Sequence, residues 1–197
     1  MPAGRPLQFD PDHALDAAMQ TFWSRGFEGT ALPDLLAATG LSRSSLYQAF
    51  GSKQQLFERC LLRYQEQLVA AMSAKLAAAP SGFDFLRGVL DDIAGETAAR
   101  ARRRGCLVMN TAREFSCRDR RISKLVHEST VRMAGLFEDA IRRAQREGDI
   151  PVARDARIVA AFFLTNVSGL RNLIQARMDR ALVDEIAEHT LRSLRAE

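Results

Sequence analysis

TALPDLLAATGLSRSSLYQAFGSKQQLF, residues 30–57, decides the fold. Leu32, Leu35 and Leu36 fall on one face at helical spacing, and Leu41 and Leu46 continue the apolar set after Gly40. A glycine between two such runs takes positive φ at little cost and ends the first helix. Ser42 then offers a hydroxyl as N-cap to a second helix, Arg43 to Ala49, whose outward side is polar: Arg43, Ser44, Ser45 and Gln48. Gly51-Ser52-Lys53 breaks the chain again, and Ser52 with Gln55 three residues on predicts a capping box for a third helix. Two short helices around a tight glycine turn form a helix-turn-helix, a unit that lays its second helix in the DNA major groove. Lys53 in the first turn of a helix opposes the macrodipole but suits a bound phosphate.

The run from Phe22 to Phe57 carries Gly26-Phe27-Glu28-Gly29-Thr30, Gly40-Leu41-Ser42, Leu46-Tyr47-x-x-Phe50 and Lys53-x-x-Leu56. In motif and order it resembles the N-terminal domain of the TetR family of bacterial transcriptional regulators, over roughly residues 8 to 60. The resemblance implies that Thr30, Tyr47 and Lys53 contact phosphates and that Arg43, Ser44, Ser45 and Gln48 face the groove. Leu36 and Thr39 depart from the small Ala residues common at those positions. The competing reading is an ordinary helical hairpin whose Ser and Arg side chains are merely solvated.

The chain has 197 residues, enough for one or two domains with real cores, and a net charge of +4. The segment that carries the motif does not supply that charge. Residues 1–63 hold six basic side chains (Arg5, Arg25, Arg43, Lys53, Arg59, Arg63) and six acidic ones (Asp10, Asp12, Asp16, Glu28, Asp34, Glu58). Affinity for DNA then has to come from a few aimed cations, backbone N–H groups and dimerisation, not from a general basic field. Gly4-Arg5-Pro6 can form an extended arm whose Arg5 enters an adjacent minor groove; a disordered terminus is the alternative.

No stretch has the apolar length of a membrane span, and the N-terminus lacks a signal-peptide pattern, so a cytoplasmic protein is expected. Cys60, Cys106 and Cys117 have no metal-ligand spacing, no catalytic or phosphate-loop pattern appears, and no cofactor, metal or enzymatic activity is expected.

Asp10-Pro11 opens a helix that runs to about Arg25, with Trp23 toward the core. A long helix from about Ser52 to Ala79 stops before Pro80-Ser81-Gly82. Further helices are predicted over Phe83 to about Ala101, Cys106 to Phe115, Asp119 to Glu147, Asp155 to Met178 and Ala181 to Leu194. The architecture expected is all-α, about nine helices: a three-helix DNA-binding head over residues 1–52 and a ligand-binding and dimerisation body over 53–197.

Val159, Phe162, Phe163, Val167, Leu170 and Ile174 make one body helix apolar on more than one face. With the last helix it can form a four-helix interface with a two-fold copy, which the resemblance also implies. Phe83, Leu86, Met109, Phe137, Phe163 and Asn166 are the candidate lining of an inducer pocket, each also readable as plain core. Cys106 follows Arg102-Arg103-Arg104-Gly105 at a predicted helix start, where adjacent cations and the helix N-terminus favour a thiolate. Gly105-Cys106-Leu107 also resembles the segment carrying the sensing cysteine of electrophile-responsive members of the family.

The function expected is a homodimeric regulator of a palindromic double-stranded operator. A small molecule or electrophile in the body would tilt the long fourth helix and release the DNA. The rivals are a helical ligand-binding protein or enzyme with an incidental helix-turn-helix, and an architectural DNA binder with no ligand.

Overall fold

The computed structural model describes residues 9–95, 105–115 and 119–195, and among them every regular element is an α-helix. In chain order these are α1 (Pro11–Arg25), α2 (Leu32–Thr39), α3 (Arg43–Phe50), α4 (Lys53–Ala78), α5 (Gly82–Gly95), α6 (Leu107–Phe115), α7 (Arg120–Glu147), α8 (Ala156–Gln175) and α9 (Arg180–Leu194). Arg5, the Arg102–Arg104 run, Cys117 and the predicted extension of α5 to about Ala101 lie outside the described residues.

The punctuation read from the sequence has its physical counterpart at each break. Asp10 accepts from the Asp12 and His13 amides at 2.9 and 3.3 Å, with Pro11 at the first helical position. Gly40 sits at φ 68° and ψ 10°, left-handed, and ends α2. Ser42 Oγ accepts from the Ser45 amide at 3.1 Å. The box at α4 is complete: Ser52 Oγ accepts from the Gln55 amide at 3.1 Å, and Gln55 Oε1 accepts from the Ser52 amide at 2.9 Å. α2 starts differently. Ala31 has no capping oxygen, so the Asp34 carboxylate reaches back to the Ala31 amide at 2.9 Å and pairs with Arg25. The Ala31 amide and the Arg25 guanidinium hold the Asp34 carboxyl below the usual carboxylate range.

Two cores result. The first gathers Phe22, Leu35, Leu46, Phe50, Leu56, Phe57 and Leu61, and takes in Leu107 and Val108 of α6 and Ile122 of α7. The second holds α5, the C-terminal half of α7, α8 and α9, with Met72 and Leu76 of α4 against it. α4 therefore serves both cores. Its first turns, Leu56 to Tyr64, are buried with the head, so the packing does not divide at residue 52.

α4 and α7 run alongside one another in the same direction. Gln54 Nε2 donates to Asp119 Oδ2 at 2.7 Å, and Arg121 pairs with the buried Glu58 at 2.7 Å. At the far end Arg143 donates to the carbonyls of Leu76, Ala79 and Pro80, capping the C-terminus of α4. Gly82 lets α5 close on α7: a Cβ there would lie 2.5 Å from the Ala140 carbonyl oxygen.

The turn itself offers a clean check. A Cβ on Gly40 would meet nothing within 4 Å, so Gly40→Ala carries only the left-handed backbone cost, about 1–2 kcal/mol. Urea unfolding is expected to show that loss with the slope unchanged; an unaltered midpoint would contradict the turn geometry.

Candidate nucleic-acid interface and body cavity

α3 stands on the head with Leu46 and Phe50 buried beneath it and Arg43, Ser44, Tyr47 and Gln48 exposed above. That split follows from the helical period: the apolar pair is four residues apart and the polar set fills the opposite arc. The Arg43 guanidinium lies 5.9 Å from the centre of the Tyr47 ring, one turn on. The Ser44 and Ser45 hydroxyls share hydrogen bonds with Ser42 Oγ at 3.0 and 2.9 Å, so both are partly engaged within the helix start. Lys53 opens α4, and its ammonium sits over the Phe27 ring at 4.3 Å. A cation–π contact of this kind contributes roughly 0.5–1 kcal/mol and offsets its poor position in the helix dipole.

Thr30 does not stand where the resemblance would have it. Its side chain is 0% exposed, and its hydroxyl donates to the Gly26 carbonyl at 2.6 Å, closing the α1–α2 loop from inside. A phosphate cannot reach it without opening the head core.

That same loop is held from outside by a residue the sequence reading missed. The Glu114 carboxylate, near the end of α6, accepts from the Phe27 amide at 2.9 Å and the Glu28 amide at 2.6 Å. Phe115 beside it packs on Phe27 and Phe57 at 5.2 and 5.7 Å between ring centres. At the other end of α6, Trp23 Nε1 donates to the Gly105 carbonyl at 3.0 Å. α6 is thus bonded to the head at both ends.

The opposite side of α6 lines a cavity of about 480 Å³ between α4, α6, α7 and α8. Met109, Phe137 and Cys106, expected in the lining, are there. Phe83, Leu86 and Phe163 are not: they are filled into the second core, where Phe163 meets Phe137 edge to face at 4.9 Å. Asn166 is not in the lining either. Its amide donates to the Phe162 carbonyl at 2.9 Å and accepts from the Thr190 hydroxyl at 3.3 Å, tying α8 to α9. Periodicity marks such residues as buried but cannot tell which neighbour they bury against.

Gln65, Arg113 and Arg171 line the cavity and were not foreseen. Gln65 was nonetheless visible as a polar residue in the stripe Leu61, Leu68, Met72 of α4, and Arg171 as the lone charge between Leu170 and Ile174.

The two described cysteines differ sharply. Burial pushes the Cys60 thiol up, and Asp16 adds to it; its Sγ donates to the Leu15 carbonyl at 3.7 Å. Cys106 immediately precedes α6, is half-buried and opens on the cavity opposite the Tyr64 hydroxyl. Burial pushes that phenol up, so it remains a neutral donor at physiological pH. Among the described residues no three His, Cys, Asp or Glu side chains cluster to hold a metal, and no helix is long and apolar enough to cross a membrane.

Comparison with known proteins matches this geometry. Residues 14–60 fit the model described as bacterial regulatory proteins, tetR family, and residues 82–190 fit the tetracyclin repressor-like C-terminal domain. The HTH-type transcriptional repressor ComR of Escherichia coli K12 is 31% identical over 192 residues, 96% of this chain and 90% of the relative. YezE of Bacillus subtilis 168, an HTH-type transcriptional regulator, is 28% identical over 186 residues, 94% of this chain and 95% of its own. A cysteine-substituted form of the regulator CifR, solved with a 26-base-pair operator DNA, superposes with TM-score 0.81 at 30% identity, covering 97% of this chain and all of that one.

The α6 contacts make a further check possible. Glu114→Ala removes an acceptor shared by two amides and is expected to lower stability by about 1.5–3 kcal/mol, the range for hydrogen bonds to charged groups. Glu114→Gln, which keeps one acceptor oxygen, should fall between that variant and wild type in thermal unfolding. Identical melting of all three would contradict the assignment.

Proposed function

The chain belongs to the tetR family of bacterial regulatory proteins and is by that membership a DNA-binding transcriptional regulator, and from there we propose that it works as a homodimeric repressor released from a palindromic operator by a molecule entering the body cavity. The observation that carries the reading is the solvent-facing arc of α3, Arg43, Ser44, Tyr47 and Gln48, on a head whose formal charge is balanced. A side chain such as Arg43 or Gln48 reads base edges in the major groove, and Tyr47 and Lys53 serve phosphates on either side. The repressor name of ComR and the operator complex of CifR point the same way.

A neutral head needs a second copy. Ile158 and Phe162, one turn apart on α8, are 61% and 45% exposed, and Met178 of the joining turn and Leu182 of α9 are exposed toward the other end of the same helix pair. Exposed apolar side chains along two packed helices mark an association surface. Two-fold pairing there leaves both α3 helices outward, to read half-sites about 34 Å apart.

Release follows from α6 and α4. α6, with Cys106 just before it, faces the cavity with Met109 and Arg113 and holds the α1–α2 loop with Glu114. α4 lines the cavity with Gln65 to Met72 and carries Lys53 and the head core at its start. A ligand that favours a shifted α6 or a tilted α4 changes the angle of the head, and coupling of that kind lowers operator affinity in proportion to the ligand's preference for the shifted state.

Cys106 is the place where an electrophile would act. The thiolate forms a C–S bond by conjugate addition to a quinone, and the ring takes up a proton from water. Treating wild type and Cys106→Ser with benzoquinone in an operator-release assay is expected to release only the wild type; equal release removes Cys106 from the mechanism.

The repressor reading is tested by Arg43→Ala and Phe162→Glu. Arg43→Ala should weaken operator binding about tenfold or more without loss of dimer, whereas Phe162→Glu should give a folded monomer in sedimentation with little operator affinity. A monomeric Phe162→Glu variant that binds operator at wild-type strength contradicts it.

A further inference from the structure

The cavity is not uniformly lined, and its character changes along α4, α7 and α8. Along α4 the lining passes from Tyr64 and Gln65 to Leu68 and then Met72. Along α7, which runs parallel to α4, it passes from Ser129 and Thr130 to Met133 and Phe137. α8 runs the other way, from Leu164 and Val167 to Arg171 and Gln175, and Arg171 acts on Tyr64, which fixes the polar ends of α4 and α8 together. One end of the space is therefore hydrocarbon and the other is polar.

The polar end is built for an acceptor. Arg113 donates to Asn110 Oδ1 at 2.7 Å and to Gln175 Oε1 at 3.5 Å, which orients its fork toward the α6–α8 end. Among the described residues the lining holds two guanidinium groups and no Asp or Glu. Gln65 joins them. It is 4% exposed and lines the cavity beside Tyr64, so its amide N–H groups are placed to donate to a molecule that enters. The Ser129 and Thr130 hydroxyls nearby are already spent on the Leu125 and Val126 carbonyls at 2.8 and 2.9 Å.

We propose that the cavity binds an apolar monocarboxylate, its carboxylate at the α6–α8 end within reach of Arg113, Arg171 and the Gln65 amide, and its hydrocarbon body along Met72, Met133 and Phe137. The inference rests on the reading of this space as the inducer site. It narrows that reading to one chemical class. A guanidinium takes a carboxylate through paired N–H donors, a charge-assisted pairing that a head of the same size without negative charge cannot make. At about 480 Å³ the space suits a molecule of the size of a medium-chain acid, within the usual 300–1,000 Å³ of small-molecule sites.

The test uses the full-length dimer and three probes of equal chain length: decanoate, decanol and decylammonium. Calorimetry and thermal shift are expected to show decanoate binding at least about tenfold tighter than decanol, and no saturable binding of decylammonium. Arg171→Gln should remove the preference for decanoate over decanol. Gln65→Leu, which leaves every guanidinium in place and adds apolar surface, should weaken decanoate while leaving decanol unchanged or tighter. Decanol or decylammonium binding as well as decanoate overturns the proposal, as does an unaltered preference in both variants. Operator affinity measured in the same samples separates the two readings. Saturable decanoate binding without operator release upholds the ligand class and removes the release mechanism. Release by a neutral compound with no carboxylate binding does the reverse.

Discussion

One carboxylate holds the molecule's two halves in register. Glu114 lies 86 residues beyond Glu28 and 87 beyond Phe27, yet it accepts from both of their amides. Those amides belong to the loop that turns α1 into the helix-turn-helix, so the angle of α2 and α3 is set by an acceptor carried on a body helix. Trp23 reinforces the link at the opposite end of α6, and the Phe27, Phe57 and Phe115 rings fill the space between. Without these contacts α6 would only be a wall of the cavity. With them, whatever moves that wall moves the loop.

α4 supplies the second connection, and its design is complementary. It is anchored at its N-terminus by Gln54 to Asp119 and Glu58 to Arg121, and at its C-terminus by Arg143, so its ends follow α7. Between them its cavity stripe meets Cys106 and Arg171 through Tyr64. The charge balance of the head gives this arrangement its consequence: a head without a basic field depends on the spacing and angle of two copies, and modest changes in angle are enough to cost binding.

The head is largely legible in the sequence. Glycines 40 and 51, the serine caps and the leucine spacing act within a few residues of one another, and local rules read them correctly. Thr30 is the instructive exception, because a threonine at a loop end offers the same hydroxyl whether it faces solvent or the core, and only the three-dimensional packing chooses. The body was legible as helices but not as a site. Phe83, Leu86 and Phe163 satisfy the same periodicity as Phe137 and Met109, yet the former close a core and the latter border a space. Gln65 and Arg171 were the better guides, since polar groups in apolar stripes need a reason to be there. Glu114 had no local signal: its function exists only because α6 meets a loop far away in sequence.

The central claim is that cavity occupancy is felt at the head through α6. The most direct measurement is hydrogen exchange at the Phe27 and Glu28 amides, with the cavity empty and with it occupied by a ligand that lowers operator affinity. Coupling through Glu114 predicts that both amides lose protection on occupancy, while amides within the α4 and α7 helices keep theirs. Unchanged protection at Phe27 and Glu28 in a protein that has released its operator would contradict the account.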